Sequence, residues 1–417
     1  MRQGTHNHTP PAPPPPPINW KTNLACIWIA QFLSIIGFSF SLPFAPYYIQ
    51  ELGITDPQAL TFWVTVFAVL APLTLAIFAP IWGALADRFG RRLMLIRAHF
   101  GSMFFLSCMG LAPNVQWLIA LRSLHGLLTG TVTASQTLAS LYAPPNRNGL
   151  VLGSLSAAVF SGSMFGAFLG GMFADLFGYR RAFLVSGIFL LAAGLLVVFG
   201  VRENFQKPAV APDYDWRREF RQGAARLQPV LPILALLVGI GIVVQFDQAW
   251  LPLLVQEIHG KRPGMAFMAG SLAAVGGIAG FMAGPIMGRL ADRFDVPRIA
   301  KIAAVGSGLA MIGMALSISF RPLLAFRFMA TFFAGGLEPV FWVWLARSTS
   351  QQHRGFIFGW AATARSSGWM LAPLLSGILV GASGQIRWVF WTAAALYFLL
   401  IPFIAMIVRR LRTAEGS

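Results

Sequence analysis

The sequence predicts an all-α integral membrane protein, with twelve transmembrane helices in two six-helix bundles related by a pseudo-two-fold axis. Three observations lead there. Hydrophobic residues make up 56% of the chain and charged residues 11%, with a mean hydropathy of +0.67, so most of the surface cannot face water. Apolar stretches of about 20 residues or more, enough for a helix to cross a hydrocarbon core of about 30 Å, can be laid out in twelve places. The two halves also repeat. Gly83-Ala-Leu-Ala-Asp-Arg-Phe89 returns as Gly288-Arg-Leu-Ala-Asp-Arg-Phe294, 205 residues later. Pro46 to Leu52 faces Pro252 to Ile258, Arg122 faces Arg327, and Gly162-x3-Gly166-x3-Gly170 faces Gly368-x3-Ala372-x3-Ser376, at offsets of 205 or 206.

The elements follow in order. Residues 1–20, with Pro10, Pro11 and the run Pro13 to Pro17, read as a disordered polyproline-like tail. The first bundle, 21–201, holds spans near 22–50, 60–86, 93–112, 117–140, 149–174 and 182–201. Residues 202–228 are charged and mixed in sign, as expected of a linker with an amphipathic helix. The second bundle, 229–408, holds spans near 229–255, 265–290, 299–320, 322–346, 355–381 and 387–408, and 409–417 form a short tail. An even number of spans puts both termini on one face. That face carries 22 of the 31 Lys and Arg residues and the other face six, so the positive-inside rule makes the termini cytoplasmic, in a cell (inner) membrane.

The same placement disposes of the formal charge of +17 as a sign of nucleic-acid binding, because the charge sits in short loops. Cys26 and Cys108 fall inside spans, so neither a disulfide framework nor a metal site is expected. No nucleophile, metal-ligand or phosphate-loop constellation appears, so the chain reads as no enzyme, with no cofactor and no ATP-driven step.

Asp87 ends the second span, where a carboxylate opposes the helix dipole. It needs an outside partner, and the start of the eleventh span after Arg354-Gly355 is the first choice; Asp292 would do the same against Asn148-Gly149. Such contacts hold only while those ends are close, which makes Gly83, Asp87, Arg88, Gly90, Arg91 and Arg92, with Asp292 and Arg293, a conformational latch. Arg88, Arg91 and Arg92 suit the C-terminal end of that helix. The alternative is a local pair between Asp87 and Arg88 or Arg91. The second copy breaks to Asp295-Val296-Pro297, so the first is expected to dominate switching.

Gly83-x-Leu-Ala-Asp-Arg-x-Gly-Arg-Arg92 resembles the loop 2-3 signature of the major facilitator superfamily. Arg122-Ser-Leu-His-Gly126 is similar to that family's proton-coupling motif, with His125 where glutamine is usual. Gly162-x3-Gly166-Ala-x2-Gly170-Gly171 resembles its antiporter motif, except that Ala167 replaces the proline, which Pro373 restores in the second half. Ser41-Leu-Pro-Phe-Ala-Pro-Tyr-Tyr-Ile49 is similar to the end of helix 1 in the twelve-span drug:proton antiporters, the tetracycline-exporter-like and MdtG-like multidrug efflux transporters. The resemblance spans residues 20–410. It implies a secondary transporter that exports hydrophobic or amphipathic drugs by alternating access, in exchange for protons.

Two alternatives stay open: an exchanger or facilitator of organic anions or other small metabolites, and a non-transporting membrane receptor on the same fold. The expected partners are a small-molecule substrate, protons and the lipid bilayer, for a monomer.

Charges inside spans mark pathways, because each costs several kcal/mol unless paired or hydrated. They are Arg122, Asp247, Arg327, Glu338 and Arg365. Glu338, beside the helix-loosening Pro339, is the first candidate to exchange a proton as access alternates, Asp247 the second, and Arg365 the counter-ion of Glu338. Arg327 lies near the outer end of its span, within snorkelling reach of water. The glycines at i, i+4 and i+8 clear a helix face for close approach, expected to rock at the interface between bundles. For the cavity, the spans that such transporters place centrally offer Gln31, Phe38, Thr133, Gln136, Gln245, Gln248, Trp250 and Trp342. Of these the amides are the more telling, since an unpaired amide in lipid is costly.

Overall fold

The computed structural model describes residues 19–144, 147–205, 231–347 and 354–415. The side chains of Asp87, Asn148, Asp292, Arg293, Glu338, Trp342 and Arg354 and the surroundings of Gly149 and Gly355 lie outside what is described, as does most of the linker. Every described element is a helix. The first half runs α1 (Trp20–Ser41), a 3-10 turn (Leu42–Phe44), α2 (Ala45–Glu51), α3 (Pro57–Phe89), α4 (Arg91–Met109), α5 (Val115–Leu128), α6 (Thr131–Tyr142), α7 (Asn148–Phe177) and α8 (Tyr179–Gly200). The second runs α9 (Leu231–Gln245), α10 (Leu251–His259), α11 (Met265–Arg293), α12 (Val296–Leu316), α13 (Phe320–Arg347), α14 (Arg354–Ser383) and α15 (Arg387–Glu415).

Every predicted span falls on helix, and three predicted as continuous are broken. Span 22–50 turns at Leu42–Phe44, where Pro43 and Pro46 withdraw backbone donors. Span 117–140 divides at Thr129-Gly130, with Gly130 at φ +115°. Span 229–255 divides between Gln245 and Leu251, and Pro252 opens the continuation. The breaks at 42–44 and 246–250 are the same feature at the repeat offset.

Among the described residues eight helices are long and apolar enough to cross a membrane, α1 with α2 counted as one. The other four predicted spans are the broken 117–140 and 229–255, α4 with Arg91, Arg92 and Arg97, and α13 with Arg321, Arg327 and Glu338. Within each half, α1 packs on α7 and α8, and α12 on α13 and α15. The halves meet chiefly through α7 against α11 and α3 against α14.

Candidate functional site

The two halves are joined by polar contacts at the helix ends remote from the termini. Tyr47 Oη donates to the carbonyl of Pro252. The amides of Gln50 and Gln256 pair reciprocally, at 2.8 and 2.9 Å. Asp175, near the end of α7, accepts from the backbone N–H of Ala266 at 3.1 Å and of Phe267 at 2.7 Å. It therefore caps the first turn of α11, whose free N–H groups and dipole favour an anion. A cavity of about 260 Å³ lies beside these contacts, lined by Tyr47, Gln50, Tyr179, Gln256, Lys261 and Met265 among others. Asp175 and the glutamine pair were missed as closures; the Gln50/Gln256 correspondence was on the sequence, but a repeat does not show that equivalent residues touch.

The latch segment carries a correction. Gly90, at φ +95°, ends α3 before its last two arginines, so Arg91 and Arg92 open α4 rather than close α3. Cations disfavour that end of a helix, and Glu203 offsets them. Its carboxylate accepts from Arg91 N at 2.9 Å and Arg92 N at 2.7 Å, and Arg92 Nη2 donates to Val198 O at 2.5 Å. A Cβ on Gly90 would stand 2.9 Å from Glu203 Oε2. Arg88 is exposed over the Phe89 ring, and Gly83 has open space around it. Two cations at a helix start were the signal that an acid had to be near.

A second correction concerns the glycines of α7. Gly162, Gly166 and Gly170 pack on the backbone of Phe32, Ile36 and Phe40 of α1, inside the first half. The face that meets the second half is the neighbouring one: Phe160 and Met164 against Gly280 and Gly277, and Ala167 and Gly171 against Gly270 and Ala266 of α11. The rows lie side by side on one helix, and periodicity alone does not say which neighbour each row takes. The second half repeats the arrangement. Gly368 of α14 approaches Val238 and Gly241 of α9, and Gly377 approaches Thr65 of α3. Pro373 is buried within α14.

The membrane charges divide. Asp247 sits in the break between α9 and α10, 1% exposed, and accepts from Arg327 Nη1 at 2.7 Å. Arg327 is 4% exposed, so it does not snorkel. The break between α9 and α10 at Asp247 carries its carboxylate to α13, which the sequence boundaries did not foresee. The repeat sets Ser41 where Asp247 stands, and Ser41 Oγ accepts from Ser186 Oγ at 2.9 Å. The equivalent of Arg327, Arg122, has no carboxylate partner among the described residues. It is half-buried, lies 4.7 Å over the Phe67 ring, donates to Phe67 O at 3.3 Å and reaches Nδ1 of His125 at 3.3 Å. Arg365 stacks over Trp369 at 4.6 Å; its pairing with Glu338 falls outside the described residues.

The nominated lining residues are scattered in environment. Phe38, Gln136 and Gln245 are half-buried, and Thr133 and Gln248 exposed. Trp250 is fully buried and donates to Ser376 Oγ at 2.9 Å, so it is a packing residue in this conformation. Gln31 is buried too, with neither amide atom partnered among the described residues, next to the Ser34–Thr131 contact that joins α1 to α6. The second cavity, about 520 Å³, lies between α1 and α7 near Trp20, Leu24, Trp28 and Leu150. Neither cavity is lined by these residues.

The fold is shared with solved transporters. A bacterial homolog of the human lysosomal transporter Spinster, in an inward-facing and occupied conformation, superposes with a TM-score of 0.72 at 15% identity, covering 94% of this chain and 96% of that one. The human organic anion transporter MFSD10 (TETRAN) superposes with a TM-score of 0.68 at 15% identity, covering 93% and 100%. Such distant likenesses carry the fold alone. Nearer in sequence, multidrug resistance protein MdtG of Citrobacter koseri is 34% identical over 383 residues, 92% of this chain and 94% of that one. MdtG of Escherichia coli K12/DH10B is 33% identical over 401 residues, 96% and 98%. The family model described as Major Facilitator Superfamily matches residues 27–320 and, overlapping, 266–417. The chain is thus a multi-pass membrane transporter and not an enzyme, and it belongs to the Major Facilitator Superfamily.

Proposed function

We propose that this protein exports hydrophobic or amphipathic drugs in exchange for protons, by alternating access, as a monomer in the cell inner membrane with both termini cytoplasmic. The observation that carries the substrate class is the identity of about one third, over more than nine tenths of the chain, to multidrug resistance proteins. The orientation rests on the excess of Lys and Arg on the termini face. On that orientation the Tyr47, Gln50 and Asp175 contacts close the outer mouth, and the conformation is the one that loads from the cytoplasm. Glu338 is the first proton-exchanging group in this reading. Asp247, held by Arg327, acts as its second. Asp87 and Asp292 close the cytoplasmic mouth in the opposite state.

A pH-jump assay in proteoliposomes tests this, with a panel of lipophilic cations, neutral drugs and organic anions. An imposed proton gradient is expected to drive uphill movement of the cations or neutral drugs. Glu338→Gln is expected to abolish that drive with the protein still present in the membrane, and unchanged efflux removes Glu338 from the mechanism. One observation favours a second reading, exchange of organic anions: the half-buried Arg122 has no carboxylate partner among the described residues. Transport indifferent to the gradient and competed by carboxylates would select it.

A further inference from the structure

We propose that His125 carries a proton during transport, on the same Nδ1 lone pair that accepts from Arg122 in this conformation. The inference rests on the proton-coupled reading above and adds a group to it. A guanidinium has donors only, so the 3.3 Å contact between Arg122 Nη1 and His125 Nδ1 makes Nδ1 the acceptor. The ring is then neutral, with its hydrogen on Nε2. That nitrogen is buried and has no hydrogen-bond partner among the described residues.

The single lone pair cannot hold Arg122 and a proton together, and an imidazolium beside the guanidinium would set two like charges in contact. Protonation of His125 and docking of Arg122 therefore exclude each other. When Arg122 swings away, hydronium of the facing water gives its proton to Nδ1: an O–H bond breaks, an N–H bond forms, and water and an imidazolium remain. When Arg122 returns, that N–H bond breaks and the proton passes to water on the side then open, giving hydronium and a neutral ring.

Among the described residues the surroundings leave Arg122 as the charge in control. From α1 the ring meets Phe38 edge-on at 5.6 Å. From α3, Thr74 lies against the neighbouring Gly126 and donates to Leu70 O and Ser123 O. The titratable residues of α4 at this depth are engaged elsewhere, Arg97 over Trp82 and toward Thr129 O, His99 with Leu95 O. Histidine is the side chain whose ordinary titration lies nearest neutrality, which suits it to a carrier released by a moving arginine.

The test uses the full chain in inverted vesicles, with ethidium as probe and an imposed pH gradient. His125→Gln keeps an acceptor for Arg122 and removes the titration. The inflection of rate against pH between about 5 and 8 is expected to flatten, and the proton-to-ethidium ratio to fall. A His125→Gln protein that matches the unsubstituted one in both, with only His125→Ala impaired, makes His125 a mere prop for Arg122 and overturns the proposal. Histidine 15N spectra of the unsubstituted protein need no variant. With ethidium bound, the His125 ring is expected to become an imidazolium as pH falls, and if both buried rings, His99 and His125, stay neutral the proposal fails. Should the unsubstituted protein ignore the gradient for every probe, the proton-coupled reading fails and this one with it.

Discussion

Asp247 and Arg327 form an ion pair with both side chains almost wholly withdrawn from solvent, at 2.7 Å. Removing one member of such a pair leaves a buried charge uncompensated and costs about 3–5 kcal/mol, whereas replacing both with apolar groups is often neutral. Asp247→Leu and Arg327→Leu are each expected to lower the thermal midpoint of the purified protein, and Asp247→Leu/Arg327→Leu to recover much of the loss. A double variant as unstable as the sum of the singles would mean that the two residues act separately. The first half offers the contrast: Arg122 reaches His125 in place of an acid, and Ser41, the counterpart of Asp247, pairs with Ser186 instead. All of these residue types stood on the sequence, and the repeat aligned Arg122 with Arg327. What the sequence hid was the partner. Asp247 reaches Arg327 because the predicted span 229–255 is broken over the five residues 246–250, and a hydropathy window draws straight through that break.

Among the elements, α7 has two working faces. Its Gly162, Gly166 and Gly170 row holds α1 inside one bundle, and its Met164, Ala167 and Gly171 row meets α11 across the interface. Small residues there bring backbones into contact, which is how helices associate where lipid offers no hydrophobic drive. A Cβ at Gly166 would stand 2.6 Å from the Ile36 carbonyl oxygen, and backbone cannot yield as a side chain can. Gly166→Val is therefore expected to reduce stability by about 1–3 kcal/mol, read as a lower thermal midpoint and less folded protein. On the other face a Cβ added to Gly277 would stand 3.0 Å from Met164 Cβ. Gly277→Val is expected to leave each bundle folded and to slow transport, because it wedges the surface that must rock. Equal effects of the two substitutions on stability would remove the distinction. The small-residue spacing was legible, and so was the existence of a close-packed face. The assignment of face to neighbour was not, since it depends on α1 running parallel to α7 at a fixed register.

At the scale of the molecule the repeat becomes geometry. Gly171 meets α11 around Ala266 and Gly270, and Gly377 meets α3 at Thr65, the same contact transposed by 205 or 206 residues. Gln50 and Gln256 lie across the pseudo-axis from each other and pair with themselves, as equivalent residues on a two-fold do. Exposed Glu51 and Glu257, also equivalent, each pair with an arginine of their own half, Arg180 and Arg387. Asp175 breaks the symmetry, for its counterpart is Gly381. One half therefore contributes a charged closure that the other lacks. A carboxylate at a helix N-terminus contributes about 0.3–1 kcal/mol when exposed and up to about 2 when partly buried. Asp175→Asn is then expected to shift the balance between closed and open outer ends by roughly two- to thirtyfold toward open. Spin labels on α2 and α10 read that shift as a longer distance. Stapling the same mouth tests whether opening is needed at all. In a background with Cys26 and Cys108 replaced, Gln50→Cys with Gln256→Cys places two thiols where the amides now meet. Oxidation is expected to halt transport and reduction to restore it. A cross-linked protein that turns over at the full rate would show that these ends stay shut throughout the cycle, and that the exit lies elsewhere.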